Sequence, residues 1–531
     1  MSEKPVFPKP FHAHCCPCSC HEGEGQTGLG QVNRRTFLGT AAWGGMALAG
    51  LSWSGLLAAE AEEIPQAPPR KPLRVKPILT YETPHRRPQW SWRSWGGIET
   101  QEQAQEECGR IQAELEKIRT AADFPVEFMP LVALPHGGQL EKLADLQQAD
   151  AALVYAAGGS VEVLNLCRKL QKPVIVFCRH KSGPVYLWYE IISPRYLRQH
   201  TDVLSVTGID EQDVVIDSLD EVLWRLRALC GLKNTVGSRI VAVGGPSGWA
   251  CPKAPELAKE RFKLDIVTVP YEPDLANLIK AAMADQKAVA RAKRRADAYL
   301  ALPNTKLETD RGFVERAFLL EEIFRRLMQK ADCRAITINA CMGTIMPISQ
   351  TTACLPLSTL NDDGWLAFCE SDFVVVPSGI LLNNISGRPH FLNDPTYPYP
   401  DPTMPGCGII TLAHCTGPRK MDGKNLEPAR ILTHFESDYG AAPKVEMRKG
   451  QIVTNIIPDF KAERWAGLLG EIVDAPFLPI CRDQIDIRFK CDPLLVAQRM
   501  PGFHWMTCYG DYHRELGYAL KRVGIKWDFL G

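Results

Sequence analysis

The sequence predicts an α/β protein: two doubly wound, Rossmann-like domains followed by an antiparallel, β-barrel-like C-terminal domain. Two observations carry that expectation. Between residues 73 and 385, short apolar runs rich in Val and Ile alternate with segments of helical periodicity, the pattern of parallel sheets covered by helices. From 386 onward, short strand-like runs follow one another with little helix between them, as in a compact antiparallel barrel.

Residues 1–61 stand outside this pattern. Asn33-Arg34-Arg35-Thr36-Phe37-Leu38 is a twin-arginine signature, Gly39 to Ala59 is uncharged and mildly apolar, and Ala59-Glu60-Ala61 offers a small-x-small cleavage step. The expectation is an export signal cut after Ala61, with the twin-arginine export machinery as a partner and a periplasmic destination. An uncleaved membrane anchor is the alternative, weakened by the five glycines between 39 and 55. Upstream, His12 to His21 is a Cys/His tract that in isolation suits Zn²⁺ or copper. It lacks two ligand pairs separated by a foldable stretch and reads as disordered leader. Residues 62–72 form a Pro-rich linker.

The first α/β domain, 73–235, opens with a strand from Leu73 to Leu79, in which Pro77 favours an edge position or an early end. A helix over Glu102 to Ala121 follows, then strands over Val126–Leu134 and Ala151–Tyr155. Helix Val161–Leu170, strand Pro173–Phe177 and helix Leu219–Leu232 complete the unit. The second domain, 236–385, starts with strand Ser238–Val243 and the turn Gly244-Gly245-Pro246-Ser247-Gly248. It continues through strand Leu264–Val269, long helices over 273–300 and 309–331, and strand Ala335–Asn339. In the C-terminal domain, 386–531, strands are expected over Ile409–Ala413 and Ile431–Phe435. A hairpin of Lys444–Met447 with Gln451–Ile457 is expected to turn at Lys449-Gly450, and a helix over Arg514–Val523 to close the domain.

Composition narrows the function. Formal net charge is zero and the chain is 45% hydrophobic, so there is apolar material for several cores and no basic block for nucleic acid. The densest charge, Arg291 to Asp297, reads as a solvated helix face. The 14 cysteines beyond the leader, from Cys108 to Cys508, sit mostly in apolar runs without regular spacing and read as free buried thiols. A protein that folds before twin-arginine export can keep such thiols reduced and carry a metal already assembled.

Chemistry concentrates in the last third. Glu370 stands in Leu-Ala-Phe-Cys-Glu-Ser-Asp-Phe, Asp394 ends Gly-Arg-Pro-His-Phe-Leu-Asn-Asp, and His504 opens His-Trp-Met-Thr-Cys-Tyr-Gly-Asp. Two carboxylates and an imidazole make a mixed oxygen/nitrogen set suited to Mn²⁺ or a similar divalent ion, with positions left for a substrate. Each also has a plainer reading: Asp394 before Pro395 as a turn residue, and His504 between Phe503 and Trp505 as a core histidine. Glu370 and Asp372, two apart on an expected strand, should emerge on one face. Asp372 is then a support for the ligands, an alternative ligand, or simply the cap of the next helix.

Over 360–531 this arrangement resembles the L-fucose isomerase family. The resemblance rests on a strand ending Glu370-Ser371-Asp372, an apolar helix Val374–Ile385, and a carboxylate, Asp394, 24 residues after the Glu. A late Gly502-Phe503-His504-Trp505-Met506 segment and a final helix ending Val-Gly-Ile complete it. It implies that Glu370, Asp394 and His504 hold Mn²⁺. It further implies that Glu370 and Asp394 move protons in an enediol aldose–ketose isomerisation of a monosaccharide, and that the chain is a homo-oligomer. The alternative is an exported, non-catalytic carbohydrate-binding protein on the same fold; a metal-dependent aldolase or epimerase is a third reading. His414 and His434, on adjacent expected strands, are candidate lining residues. Arg179, in the loop Arg179-His180-Lys181-Ser182 after a strand, is a candidate substrate contact or an ordinary polar loop residue. The Gly244–Gly248 turn lacks the order of a phosphate loop and reads as a tight strand–helix turn. Cys415 beside His414 raises a Cys/His nucleophile, with no activating neighbourhood legible.

Overall fold

The computed structural model describes residues 56, 63–93, 97–135, 140, 143–158, 165–167, 169–186 and 209–531. The twin-arginine and Cys/His motifs, and half of the expected helix over 161–170, lie outside them. No helix among the described residues is long and apolar enough to cross a membrane.

The first domain is a wholly parallel sheet. Strands β1 (Leu73–Thr80), β2 (Val126–Phe128), β3 (Val132–Leu134), β4 (Ala151–Ala156), β5 (Val174–Cys178) and β6 (Val214–Ile216) run in the order β2-β1-β4-β5-β6, with β3 on the same edge of β1 as β2. The expected single strand over 126–134 is thus two short ones. That break explains why β1 is interior and runs on to Thr80 despite Pro77, which from sequence favoured an edge position or an early end. The Val75 carbonyl accepts from Met129 on the β2/β3 side, and the Arg74 carbonyl accepts from Asp150 on the β4 side. By alternation, Pro77 lacks its donor toward the gap where β2 has ended and β3 has not begun. Helix α1 (Gln101–Ala121) starts in a reciprocal cap between Thr100 and Gln103, and α2 (Leu219–Thr235) starts at Ser218, whose hydroxyl accepts from the Glu221 N–H.

The second domain has four parallel strands, β7 (Arg239–Val243), β8 (Asp265–Val269), β10 (Ala335–Ile338) and β11 (Leu366–Phe368), ordered β11-β10-β7-β8. A further strand, β9 (Thr305–Leu307), leaves this sheet to pair with the third domain. The helices are α3 (Ala254–Phe262), α4 (Ala276–Ala284), α5 (Gln286–Leu300), α6 (Arg311–Lys330), α7 (Cys354–Asp362) and α8 (Val376–Ser386). The long helix expected over 273–300 divides at Asp285, which leaves helical geometry and caps α5 by accepting from the Lys287 N–H. In both sheets the winding reverses beside the first strand, between β1 and β4 and between β7 and β10. Such a switch point opens a crevice at the carboxyl ends of the strands.

The third domain contains a closed six-stranded antiparallel barrel. Strands β12 (Phe391–Pro395), β14 (Gly408–His414), β17 (Ile452–Ile457), β18 (Arg464–Asp474), β19 (Asp483–Phe489) and β20 (Trp505–Tyr509) follow the circuit β12-β20-β17-β18-β19-β14-β12. Strand β13 (Tyr399–Pro400) adds to β14, and β21 (Lys526–Phe529) adds in parallel to β18. Between β14 and β17 in the chain, β15 (Ala429–His434) and β16 (Tyr439–Val445) form a hairpin that β9 extends. The hairpin expected at Lys449-Gly450 does not form. The chain turns there, with Gly450 at φ +82°, but β16 belongs to one sheet and β17 to another.

Helix α9 (Pro493–Arg499) precedes β20, and helix α10 (His513–Leu520) returns the chain to the first domain. It lies on α2, where Arg227 meets Glu515 at 2.9 Å, and its Tyr518 donates at 2.7 Å to Asp213, just before β6. Helix α8 also packs on α2 so closely that a Cβ on Gly231 would lie 2.3 Å from Ile385 Cγ1. The Pro-rich segment expected as a linker is laid onto the body: Arg325 donates to the Pro65 carbonyl at 3.0 Å, and Arg70 to the Asn384 carbonyl at 3.0 Å. Buried apolar clusters continue from the second domain into the barrel and from the first into both.

Candidate metal centre

The crevice of the second sheet is closed over by the barrel, leaving a cavity of about 700 Å³, within the range of small-molecule sites. The second domain lines it with Ser247 and Trp249 after β7, Asn339 to Gly343 after β10, and Cys369-Glu370 after β11. The third lines it with Asp394, His414 and His434.

Glu370 is not on a strand, as the sequence had suggested. Strand β11 ends at Phe368, and Glu370 and Ser371 both take left-handed backbone, at φ +64° and +50°. Two consecutive non-glycine residues in that region store strain of roughly 1–2 kcal/mol each. Backbone bonds to Ser247 hold the turn: its N–H donates to the Ser371 carbonyl at 3.0 Å, and its carbonyl accepts from Phe373 at 2.9 Å. Asp394 is in strand β12, opposite Ala413, and not in a turn. Asn393 pairs with Trp505, so continuing the register places Asp394 opposite His504. Barrel closure thus sets Asp394 between His504 on one side and the end of β14, with His414, on the other.

The three side chains meet. His504 Nε2 lies 3.1 Å from Glu370 Oε2 and 3.2 Å from Asp394 Oδ1. His504 Nδ1 is 2.7 Å from Asp372 Oδ2. A carboxylate on Nδ1 fixes the ring and turns the Nε2 lone pair toward the two acids, the usual support of a metal-bound imidazole. Asp372 Oδ1 also accepts from the Val374 N–H at 3.0 Å, which holds the turn before α8, but it does not cap the helix: Val375 is the N-cap residue and no side chain caps it. Glu370 Oε2 and Asp394 Oδ1 are buried without a hydrogen-bond partner. Charged oxygens in that position cost several kcal/mol unless a cation satisfies them, and the donor set fits a divalent ion. The two side chains are 21% and 22% exposed, yet they lie deep in the molecule, because their open face is the cavity.

Electrostatics separates the two acids. Despite burial, the imidazoles of His414 and His504 beside it pull Glu370 well below the usual carboxylate range. Burial, with the charges of Glu370 and Asp372, raises Asp394. Burial alone would lower His504, but Asp372, Glu370 and Asp394 hold its imidazole well above the usual value.

A second grouping shares Glu370. Cys369, Glu370 and His414 each offer one ligand atom, all within 4.8 Å of one another, and could hold a metal ion. His414 Nε2 is 3.6 Å from Glu370 Oε1, on the side away from His504. The oxygen/nitrogen set suits hard ions and the sulfur-containing set softer ones. His434 lines the cavity beside Ser437, and its burial lowers it to about 4, so it is neutral near pH 7. Glu436 also lines the cavity and is raised by burial and by the charges of Glu370 and Asp394.

Arg179 is elsewhere. It is buried in the first domain, 2.5 Å from Glu107 and 2.8 Å from Glu114, stacked near Phe177, and it does not line the cavity. Its guanidinium is engaged structurally, which corrects both the substrate contact and the loop reading. Cys415 does line the cavity, but its thiol is held high by a bond to Cys354 and by burial, the opposite of an activated nucleophile. Sequence reasoning missed Trp249, which packs 4.7 Å from Phe503 and 6.0 Å from His504, and the segment Cys341-Met342-Gly343. Both follow strands that flank the switch point, the signal that could have found them.

The molecule therefore combines Rossmann-like sheets, a barrel and a buried metal-ligand cluster at their junction, an arrangement consistent with a metal-binding enzyme. The chain matches no family model, and no curated protein matches it.

Proposed function

We propose that the protein is a metal-dependent aldose–ketose isomerase of the L-fucose isomerase type, acting on a monosaccharide through an enediol. The observation that carries this reading is the convergence of two unsatisfied carboxylate oxygens on one oriented imidazole nitrogen, facing a cavity of sugar-binding size. Glu370, Asp394 and His504 would hold the ion, Mn²⁺ by the resemblance. When bound, such an ion polarises a carbonyl and its neighbouring hydroxyl, making the adjacent C–H more acidic.

The chain's own groups then divide the work. Glu370, held low by two imidazoles, stays ionised and serves as an anchor. Asp394, raised by burial, is the better proton carrier of the pair: it takes the proton from one carbon and can deliver it to the next. Neutral His434, and Glu436 when protonated, can hydrogen-bond sugar hydroxyls. Trp249 and Phe503 screen His504 from water. Export in a folded, metal-loaded state by the twin-arginine route to the periplasm, and assembly as a homo-oligomer, belong to the same reading.

The test is metal content and conversion of a pentose and hexose panel by the wild type, Glu370→Gln and His504→Ala. The expected result is stoichiometric metal and ketose formation in the wild type, both lost in the variants. Metal binding without conversion of any sugar would favour a carbohydrate-binding protein, and an unaffected Glu370→Gln would refute the assignment.

A further inference from the structure

The two oxygens of Glu370 face different imidazoles. Oε2 lies 3.1 Å from His504 Nε2, which has Asp394 Oδ1 at 3.2 Å as its other carboxylate neighbour. Oε1 lies 3.6 Å from His414 Nε2. Cys369 Sγ joins that second pair in a set whose three ligand atoms all fall within 4.8 Å of one another. The spacings differ as the donors do. Neighbouring ligand atoms around a hard octahedral ion, with bonds of about 2.1 Å, lie about 3.0 Å apart. Around tetrahedral zinc, with bonds of about 2.0–2.3 Å, they lie about 3.4–3.7 Å apart. The contacts of His504 match the first value and the His414–Glu370 contact matches the second. Cys369 is buried and in no disulfide, and a thiolate donor selects a softer ion than two carboxylates do.

We propose that the centre holds two ions bridged by Glu370: a hard one with Asp394 and His504, and a thiophilic one, Zn²⁺ or a similar ion, with Cys369 and His414. This rests on the reading above for the first ion and adds the second. Binding of the second ion replaces the Cys369 thiol proton, which passes to solvent, and no electron is transferred. Three protein ligands leave one tetrahedral position, and all three residues line the cavity, so that position is available to water or substrate. Ions about 3.5–4 Å apart let one oxygen of a substrate contact each, so the carbonyl and adjacent hydroxyl of a single sugar could span the pair. A single ion chelated by both oxygens of Glu370 is the competing arrangement, and it gives Cys369 no part.

The test uses the full chain, reduced with a thiol-free phosphine and stripped of metal. It receives one equivalent of Mn²⁺ and then one of Co²⁺, the spectroscopic stand-in for Zn²⁺. The thiolate-to-cobalt charge-transfer band reports sulfur ligation, and the electron paramagnetic resonance of free Mn²⁺ reports any release. The wild type should gain the band and release no Mn²⁺. Cys369→Ser should lose the band and keep Mn²⁺, whereas His504→Ala should keep the band and lose Mn²⁺, a split that one shared ion cannot give. Mn²⁺ released as Co²⁺ binds, or Mn²⁺ held with no band, overturns the second ion and leaves the isomerase reading standing. Both outcomes are read on the wild type, so they decide the matter even where a variant does not fold. A band that survives in Cys369→Ser also overturns the proposal, by assigning the ion to another thiol. A two-ion protein that converts no sugar overturns the isomerase reading alone.

Discussion

Asp372 does two jobs with two oxygens, and the jobs can be separated. Its Oδ1 accepts from the Val374 N–H in the turn before α8, and its Oδ2 orients His504. In Asp372→Asn the amide oxygen can still accept from Val374, so thermal stability should change little. The charge that holds the imidazole is lost, so metal affinity should fall about 10–100-fold. Calorimetric metal titration beside a thermal melt checks this; a large drop in stability with unchanged affinity would confine Asp372 to holding the turn. His504 gives the site a pH signature. Its folded-state value is raised by the surrounding carboxylates despite burial. In the metal-free protein that stabilisation is fully present below the unfolded histidine value of about 6.5 and is lost as pH rises through the folded value. Metal binding displaces the same proton, so it strengthens as pH rises. The rise in melting temperature on adding Mn²⁺ to chelator-treated protein should therefore grow with pH above about 6. A shift that is constant or shrinks would remove His504 from the ligand set. These residues were legible in the sequence because each sits in a distinctive local context. The neighbourhood of Cys354, Cys415 and Cys481 was not: they come from three distant elements in ordinary apolar surroundings, and only the tertiary fold brings them to one cavity wall.

At the level of elements, the site hangs on the turn between β11 and α8. Ser371 is fully buried at φ +50° with an unpartnered hydroxyl, held between Ser247 and the start of the helix. Glycine takes left-handed backbone freely. Relief of roughly 1–2 kcal/mol of strain exceeds the roughly 0.5–1 kcal/mol entropic cost of glycine. Ser371→Gly should therefore raise stability by up to about 1 kcal/mol, whereas the β-branched Ser371→Val should lower it. Denaturant melts of both variants decide the matter, and a destabilised glycine variant would show that the turn is not strained. The same scale shows where local sequence signals stop. Lys449-Gly450 does turn the chain, but a turn signal cannot say which strands it joins. Barrel closure, which recruits β17 between β18 and β20, overrides the local hairpin. Pro77 likewise reads as an edge marker from composition alone. Only the break between β2 and β3 lets it stay inside the sheet.

For the whole molecule, the alternation of strands and helices up to 385 and the run of short strands after it made the architecture legible, because periodicity reports layers directly. How the domains pack was not legible, since it depends on contacts between residues far apart in sequence. In the structure Glu370 belongs to the second domain, while Asp394 and His504 belong to the third, which β9 and α10 tie to the rest of the chain. An ion at that junction bridges two cores, so its binding energy acts on the interface as well as on the ligands. At a metal concentration of 100 times Kd the stabilisation is about 2.7 kcal/mol. It should appear as slower amide exchange on both sides of the cavity: in residues 369–376 of the turn before α8, and in β12 and β20 of the barrel. Hydrogen exchange with and without Mn²⁺ reads each segment separately. Protection confined to the barrel would mean that Glu370 does not reach the ion. Protection confined to 369–376 would favour the Cys369, Glu370 and His414 grouping, in which His414 is the barrel's sole contribution. Protection on both sides is what a bridging site requires, and it would account for an active centre that neither domain contains by itself.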